Sequence, residues 1–134
     1  MYVHRHDQIG AKSKEEARKI AEQDLRQVVE NLARHVFGDV EMRWVYDHFP
    51  FTDPSLELEI FYKGDWLEIV GSGVIHEGVM TNSNRENDRE VGWAFGLGLE
   101  RWAMKLFDIP DIRLFWSQDP RFIKQFKKGE ISTF

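Results

Sequence analysis

Cysteine is missing from all 134 residues, which excludes disulfides and thiol-ligated zinc and is compatible with a reducing compartment. Proline is scarce, with four in the chain, and no low-complexity linker or internal repeat divides it. No apolar run approaches the roughly 20 residues of a membrane span. The polar opening Met1-Tyr2-Val3-His4-Arg5-His6-Asp7 lacks the form of a secretory signal. An excess of positive charge is also absent. Lys and Arg number 18 against 23 Asp and Glu, for a net charge of −5, so no global basic field draws the chain to nucleic acid. These absences lead us to expect a cytoplasmic protein that engages neither membrane nor DNA. What is present is a 42% hydrophobic fraction and 13% aromatics, enough for one domain over residues 1–134 with a bulky core.

The apolar spacing sorts this domain into helices and strands. Residues 1 to about 12 are polar and read as extended or disordered unless paired. Ser13 with Glu16 forms a capping box that opens a long helix to about Phe37, and Gly38 stops it. Ala21, Leu25, Val28, Leu32 and Val36 recur at helical spacing and predict the buried stripe. Glu41–Tyr46 suits a short strand. Leu56, Leu58 and Ile60 alternate with Glu57 and Glu59, as in a strand with one wet face. The Lys63-Gly64-Asp65 turn then returns Trp66–Val70 as the second arm of a hairpin. Gly71–Gly78 reads as a glycine-rich connection, and Thr81–Glu90 as a surface loop or short helix end. A strand over Gly92–Gly98, a helix over Glu100–Phe107 and an extended run over Arg113–Trp116 follow. Ser117 is placed to cap a last helix carrying Phe122 and Phe126. The fold class is α+β, an antiparallel sheet with flanking helices.

Within this pattern, Gly92-Trp93-Ala94-Phe95-Gly96-Leu97-Gly98-Leu99-Glu100-Arg101-Trp102 is a glycine-studded strand running straight into a helix. Gly96 and Gly98 leave bare backbone for a flat ligand. The helix start carries a partial positive charge, and Arg101 adds a planar cationic fork suited to phosphate. The same residues would serve equally in a buried strand–turn–helix with a surface arginine. Of the five histidines, His4 and His6 lack a third ligand nearby, which argues against zinc. His35 sits at a helix C-terminus, and His48 and His76 flank Phe49–Phe51 without an assigned role.

The stretch Gly92–Met104 resembles motif 3 of class II aminoacyl-tRNA synthetases, in the form found in phenylalanyl-tRNA synthetases. So do Phe49-Pro50-Phe51-Thr52-Asp53-Pro54, Trp66-Leu67-Glu68-Ile69-Val70-Gly71-Ser72-Gly73 and Asp108-Ile109-Pro110-Asp111-Ile112-Arg113-Leu114-Phe115-Trp116, in that family's order. Arg121–Phe126 also fits. The resemblance implies that Phe49 and Phe51 hold the ring of phenylalanine or a related aromatic molecule, lined by Gly71, Ser72, Gly73, Ala94 and Gly96. It implies that Arg101, beside Gly98, contacts the terminal phosphate of ATP. Glu68 would bind an ATP-associated magnesium, with Asp53 a weaker second carboxylate. Two residues apart on an extended segment, Phe49 and Phe51 would share one side.

The resemblance is to the second half of a synthetase catalytic domain. Motif 1, which builds the dimer interface, and motif 2, whose arginine holds the α-phosphate, have no counterpart here. Accordingly no residue is assigned a catalytic step. The expectation is a fragment or truncated relative of a phenylalanine–tRNA ligase that does not charge tRNA alone and associates with itself or with the missing half. The alternative is a non-catalytic synthetase-like protein that binds phenylalanine, a related metabolite or a protein partner.

Overall fold

A computed structural model describes residues 1–126. They form two compact units, of which the first comprises Met1–Leu97 and the second begins at Gly98.

The first unit opens with strand β1 (Tyr2–Arg5) and helix α1 (Lys14–Phe37), continues with strands β2 (Met42–Asp47), β3 (Thr52–Tyr62) and β4 (Asp65–Ile75), and ends with helix α2 (Glu77–Asn82) and strand β5 (Glu90–Leu97). The strands make one antiparallel sheet in the order β1-β5-β4-β3-β2. This is the α+β architecture expected, an antiparallel sheet with helices.

Local signals set the limits of α1. The Ser13 hydroxyl accepts the Glu16 N–H, and the Glu16 carboxylate accepts the N–H of Lys12 at 2.7 Å. At the far end Gly38 has φ 79° and donates its N–H to the Arg34 carbonyl, a conformation that favours glycine. The buried row is Ala17, Ala21, Leu25, Val29, Ala33 and Phe37. The expected stripe is thus correct at Ala21 and Leu25 and wrong beyond them, since Val28 is 38% exposed and Leu32 and Val36 are half-buried. A row with strict four-residue steps runs oblique to the helix axis, as a helix crossing a twisted sheet requires. Its alanines let α1 lie close over β4 and β5.

Leu56, Leu58 and Ile60 of β3 meet Val70 and Val74 of β4 in the core beneath α1. Two polar anchors fix the helix further. Asp24 Oδ2 accepts from Trp93 Nε1 at 2.8 Å and from His4 Nε2 at 2.9 Å, which ties α1 to β5 and β1. Glu30 accepts the Trp44 Nε1–H at 2.8 Å. The opening residues are therefore paired, with Tyr2 opposite Trp93 and Arg5 opposite Glu90.

The β3–β4 hairpin turns through Lys63 (φ 51°) and Gly64 (φ 89°), both left-handed as a two-residue hairpin loop prefers. Gly71–Ile75, expected as a connection, belongs to β4. Its glycines are places where another part of the chain comes close. A Cβ on Gly73 would stand 2.5 Å from both the Pro54 carbonyl oxygen and Thr52 Cβ. The register slips there between Thr52 and Ser55, beside the cis Asp53–Pro54 bond.

The second unit holds α3 (Leu99–Leu106), a 3-10 helix (Ile112–Trp116) and α4 (Pro120–Ile123). Arg113–Trp116, expected to be extended, winds into the 3-10 helix because Asp111 accepts the Arg113 N–H at its start. The last helix is capped by Asp119, with Pro120 following, whereas Ser117 accepts the Asp119 N–H one turn earlier. Phe122 lies edge-on to Phe126 at 5.1 Å and to Phe115 at 6.4 Å.

Candidate functional site

The outer face of the sheet, away from α1, carries every second residue of its strands. On β3 these are Ser55, Glu57 and Glu59, and their cross-strand partners on β4 are Gly73, Gly71 and Glu68. On β5, Gly96 lies opposite Gly71 and Ala94 opposite Gly73. The centre of this face is therefore nearly bare backbone.

Phe49 and Phe51 are brought over it by the turn between β2 and β3. They do not lie on an extended segment as expected, since Pro50 and Phe51 are turn residues. Their rings nevertheless stack, with centroids 5.9 Å apart and planes 8° from parallel. Buried hydroxyls hold the turn. Ser55 Oγ accepts the Phe49 N–H at 2.9 Å and donates to the Thr52 carbonyl at 3.1 Å. With its one proton so used, it accepts from Thr52 Oγ1 at 2.8 Å. Beyond the turn, the Phe51 carbonyl accepts the His76 N–H at 2.9 Å.

Between the rings and the sheet lies a cavity of about 360 Å³, lined by Phe49, Phe51, Thr52, Glu68, Gly71, Ser72, Ala94, Phe95 and Gly96. The structure thus gathers the residues expected around an aromatic ring, with the exception of Gly73, which is filled against by Thr52 and Pro54. Thr52 and Phe95 were not anticipated as lining residues. Thr52 directly continues the Phe-Pro-Phe run, so position alone pointed to it.

Acidic groups border the cavity. Glu57, opposite Gly71, has its carboxyl pushed up to about 7 by burial first, then by a hydrogen bond with Asp47 and by repulsion from Glu68, Asp47 and Glu59. Nothing in the local sequence announces this, because Asp47 and Glu68 arrive from neighbouring strands. Asp53 is turned to α1, where Arg18 donates to its carbonyl and stands 3.7 Å from its carboxylate. Among the described residues no group of three or more His, Cys, Asp or Glu side chains is placed to hold a metal ion by itself. His48 and His76 line an adjoining cavity of about 440 Å³, and His76 Nδ1 accepts the Gly78 N–H at 3.1 Å.

In the second unit, Gly98 is the N-cap of α3 and offers no side-chain hydrogen bond. A Cβ there would touch Arg101 Cδ at 3.5 Å, so the aliphatic stem of Arg101 packs back over the bare cap. The permanently charged guanidinium thereby belongs to the first turn of α3.

The sequence model of the tRNA synthetases class II core domain (F) matches residues 6–126. The chain is 60% identical over 113 residues to the chloroplastic/mitochondrial phenylalanine–tRNA ligase of Arabidopsis thaliana, covering 84% of this chain and 26% of that protein. It is 58% identical over 118 residues to the mitochondrial phenylalanine–tRNA ligase of Rattus norvegicus, covering 87% and 25%. With the phenylalanine–tRNA ligase alpha subunit of Laribacter hongkongensis it shares 40% identity over 105 residues, covering 77% and 32%. The chain thus spans about a quarter to a third of the length of these relatives. Their names overturn the cytoplasmic expectation, because those from Arabidopsis, rat, mouse and Dictyostelium are organellar proteins. No helix of the described residues is long and apolar enough to cross a membrane. Neither that nor the absence of cysteine distinguishes one reducing compartment from another, which is why composition misled.

Proposed function

Because the chain belongs to the tRNA synthetases class II core domain (F) family, we propose that it is the phenylalanine-binding part of an organellar phenylalanine–tRNA ligase. In this reading it works with the remaining segments of such an enzyme to activate phenylalanine with ATP and pass it to tRNA. The observation that carries the reading is the cavity under the stacked Phe49 and Phe51 rings, floored by Gly71, Ala94 and Gly96. A pocket with two aromatic walls and a backbone floor matches a flat apolar ring on shape. Aromatic contacts add about 0.5–1.5 kcal/mol beyond the area they bury.

The remaining assignments follow from the chemistry of the groups. Amino-acid activation is dominated by positioning and charge stabilisation. Arg101, in the stretch resembling motif 3, would contact the terminal phosphate, with Gly98 letting its stem fold close to the helix start. Glu68, at the cavity wall, would hold magnesium. One or two carboxylates are sufficient, since magnesium keeps waters and phosphate oxygens as its other ligands. The donor set fits in chemistry, because Glu68 lines the cavity and further carboxylates, Glu57 and Asp47, stand near it, and a cation offsets charge gathered in this way. When bound, the ion would neutralise phosphate charge. Among the described residues no strand pairs with the outer edges of β1 and β2, and an unpaired edge is where another synthetase segment or a second copy would add.

Isothermal titration tests this reading. Phenylalanine should bind the chain alone, whereas ATP should bind weakly, with magnesium, and more weakly after Arg101→Ala. Restored adenylate formation on adding the N-terminal half of a relative's catalytic domain would support the ligase role. Phenylalanine binding without any magnesium-dependent ATP binding would show instead a synthetase-like binding protein. Binding of neither would defeat the proposal.

A further inference from the structure

The three glycines on the outer face of the sheet are not equivalent. At Gly73 an added Cβ would meet the backbone of Pro54 and Thr52 Cβ at 2.5 Å, so this glycine permits the chain to pack at all. At Gly96 an added Cβ would meet nothing within 4 Å, and since Gly96 lines the cavity it would occupy ligand space. Gly71 differs from both. Its added Cβ would stand 3.2 Å from Cζ and 3.5 Å from Cε2 of Phe49, with no other atom within 4 Å.

We infer that Gly71 is a positioning residue for aromatic recognition: its bare backbone is the seat on which the Phe49 ring lies. The inference rests on reading the cavity as a phenylalanine pocket, but its geometry stands apart from that reading. The Phe49 backbone has little freedom to retreat, because its N–H is bound to Ser55 Oγ and its carbonyl accepts the Thr52 N–H. A methyl group on residue 71 therefore has to turn the ring itself. Phe51 is stacked on Phe49, so both walls shift together. The tip of the ring would move by only a few tenths of an ångström, which is still a meaningful fraction of the tolerance for a well-fitted ligand. Gly71 thus sets the orientation of the clamp without providing a side chain to it, and Gly96 sets the depth.

The test uses this chain with L-phenylalanine as the probe. Gly71→Ala should fold, shift the Phe49 ring resonances and weaken phenylalanine binding by about fivefold, because a wall turned by a few tenths of an ångström spoils close packing on the ligand. In a Phe49→Leu background the same change should alter affinity by much less, under about twofold, since the ring it displaces is gone. Gly96→Ala should weaken binding with the Phe49 resonances in place. Equal losses for Gly71→Ala in both backgrounds, or unshifted Phe49 resonances, would overturn the inference. If Gly71→Ala does not fold, the wild-type Gly71 Hα resonance decides: it should be displaced by the ring current and return to an ordinary position in Phe49→Leu. If wild-type chain binds no phenylalanine, the pocket reading fails, and the resonance shifts still decide whether Gly71 seats the ring.

Discussion

Along β3, Leu56, Leu58 and Ile60 face α1 and are fully buried. Glu57 and Glu59, their immediate neighbours, stand on the opposite face with Asp47 and Glu68. The inner face is filled by buried aliphatic side chains, and α1 packs on it over β4 and β5. The outer face gathers carboxylates that repel one another and glycines that leave the backbone bare. Both faces are made by the same strands with the same hydrogen bonds, so backbone pairing does not distinguish them. The inner face is arranged for stability, and the outer one holds arrangements that cost stability at the site where binding is proposed.

Substitutions can break or sharpen this contrast. The largest effect belongs to the inner face, where Leu58→Ala should cost about 2–5 kcal/mol, the range for a leucine deleted from a closed core. Urea unfolding measures it, and a cost below about 1 kcal/mol would show that the inner face is loosely packed. Next is Ser55→Ala, which strips the buried Thr52 hydroxyl and the Phe49 N–H of a partner and should cost about 1–3 kcal/mol. The same variant should bind phenylalanine more weakly, because the ring turn loses its pin.

A smaller effect with a pH signature is expected at Glu57. Its carboxyl is raised in the folded protein to about 7, so the folded state binds more protons than the unfolded one above the ordinary glutamate range. Stability therefore falls as the pH rises from about 4.5 to about 7 and then levels. Glu57→Gln should remove that loss and be more stable than wild type at pH 8 by on the order of 1–2 kcal/mol, and by little at pH 4.5. Thermal unfolding across that range in a chelating buffer measures it. A gain that is equal at both ends would mean that the carboxylates do not repel. The smallest effect is Val28→Ser, expected within about 0.5 kcal/mol of wild type, whereas Val29→Ser should be severe. A larger cost at Val28 than at Val29 would place the α1 row where helical spacing first suggested it.

Legibility followed the range of the determining contacts. Ser13, Glu16 and Gly38 act within a turn of α1, and both helix ends could be read from them. The buried row could not, because Val28 and Val29 differ only in how α1 crosses a sheet formed much later in the chain. Gly71 and Gly73 read as part of a glycine-rich connection because what they make room for, Phe49, Thr52 and Pro54, arrives from another strand and its turn. At Ile112–Trp116 the determining contact is local, as Asp111 caps the 3-10 helix through the Arg113 N–H, yet a short polar start of this kind is hard to tell from an extended run. That Phe49 and Phe51 share one side followed from their two-residue spacing and their place beside a pocket from resemblance, whereas their stacking on each other depends on a turn that neither signal described. The carboxylate cluster around Glu57 was not foreseen at all, since cross-strand register is invisible in one sequence.

The strand order imposes a timetable on the nascent chain. β2, β3, β4 and β5 are neighbours in sequence as well as in the sheet, and each can close on the one just made. β1 cannot, because Tyr2 is opposite Trp93 and Arg5 opposite Glu90. Synthesis at roughly 5–20 residues per second leaves the first strand without its mate for several seconds. During that interval α1 lacks the tryptophan that shares Asp24 with His4. The residues of β1 thus leave the ribosome ahead of the rest of this sheet yet are among the last to find their place in it, and a chaperone that shields them has a defined period in which to act.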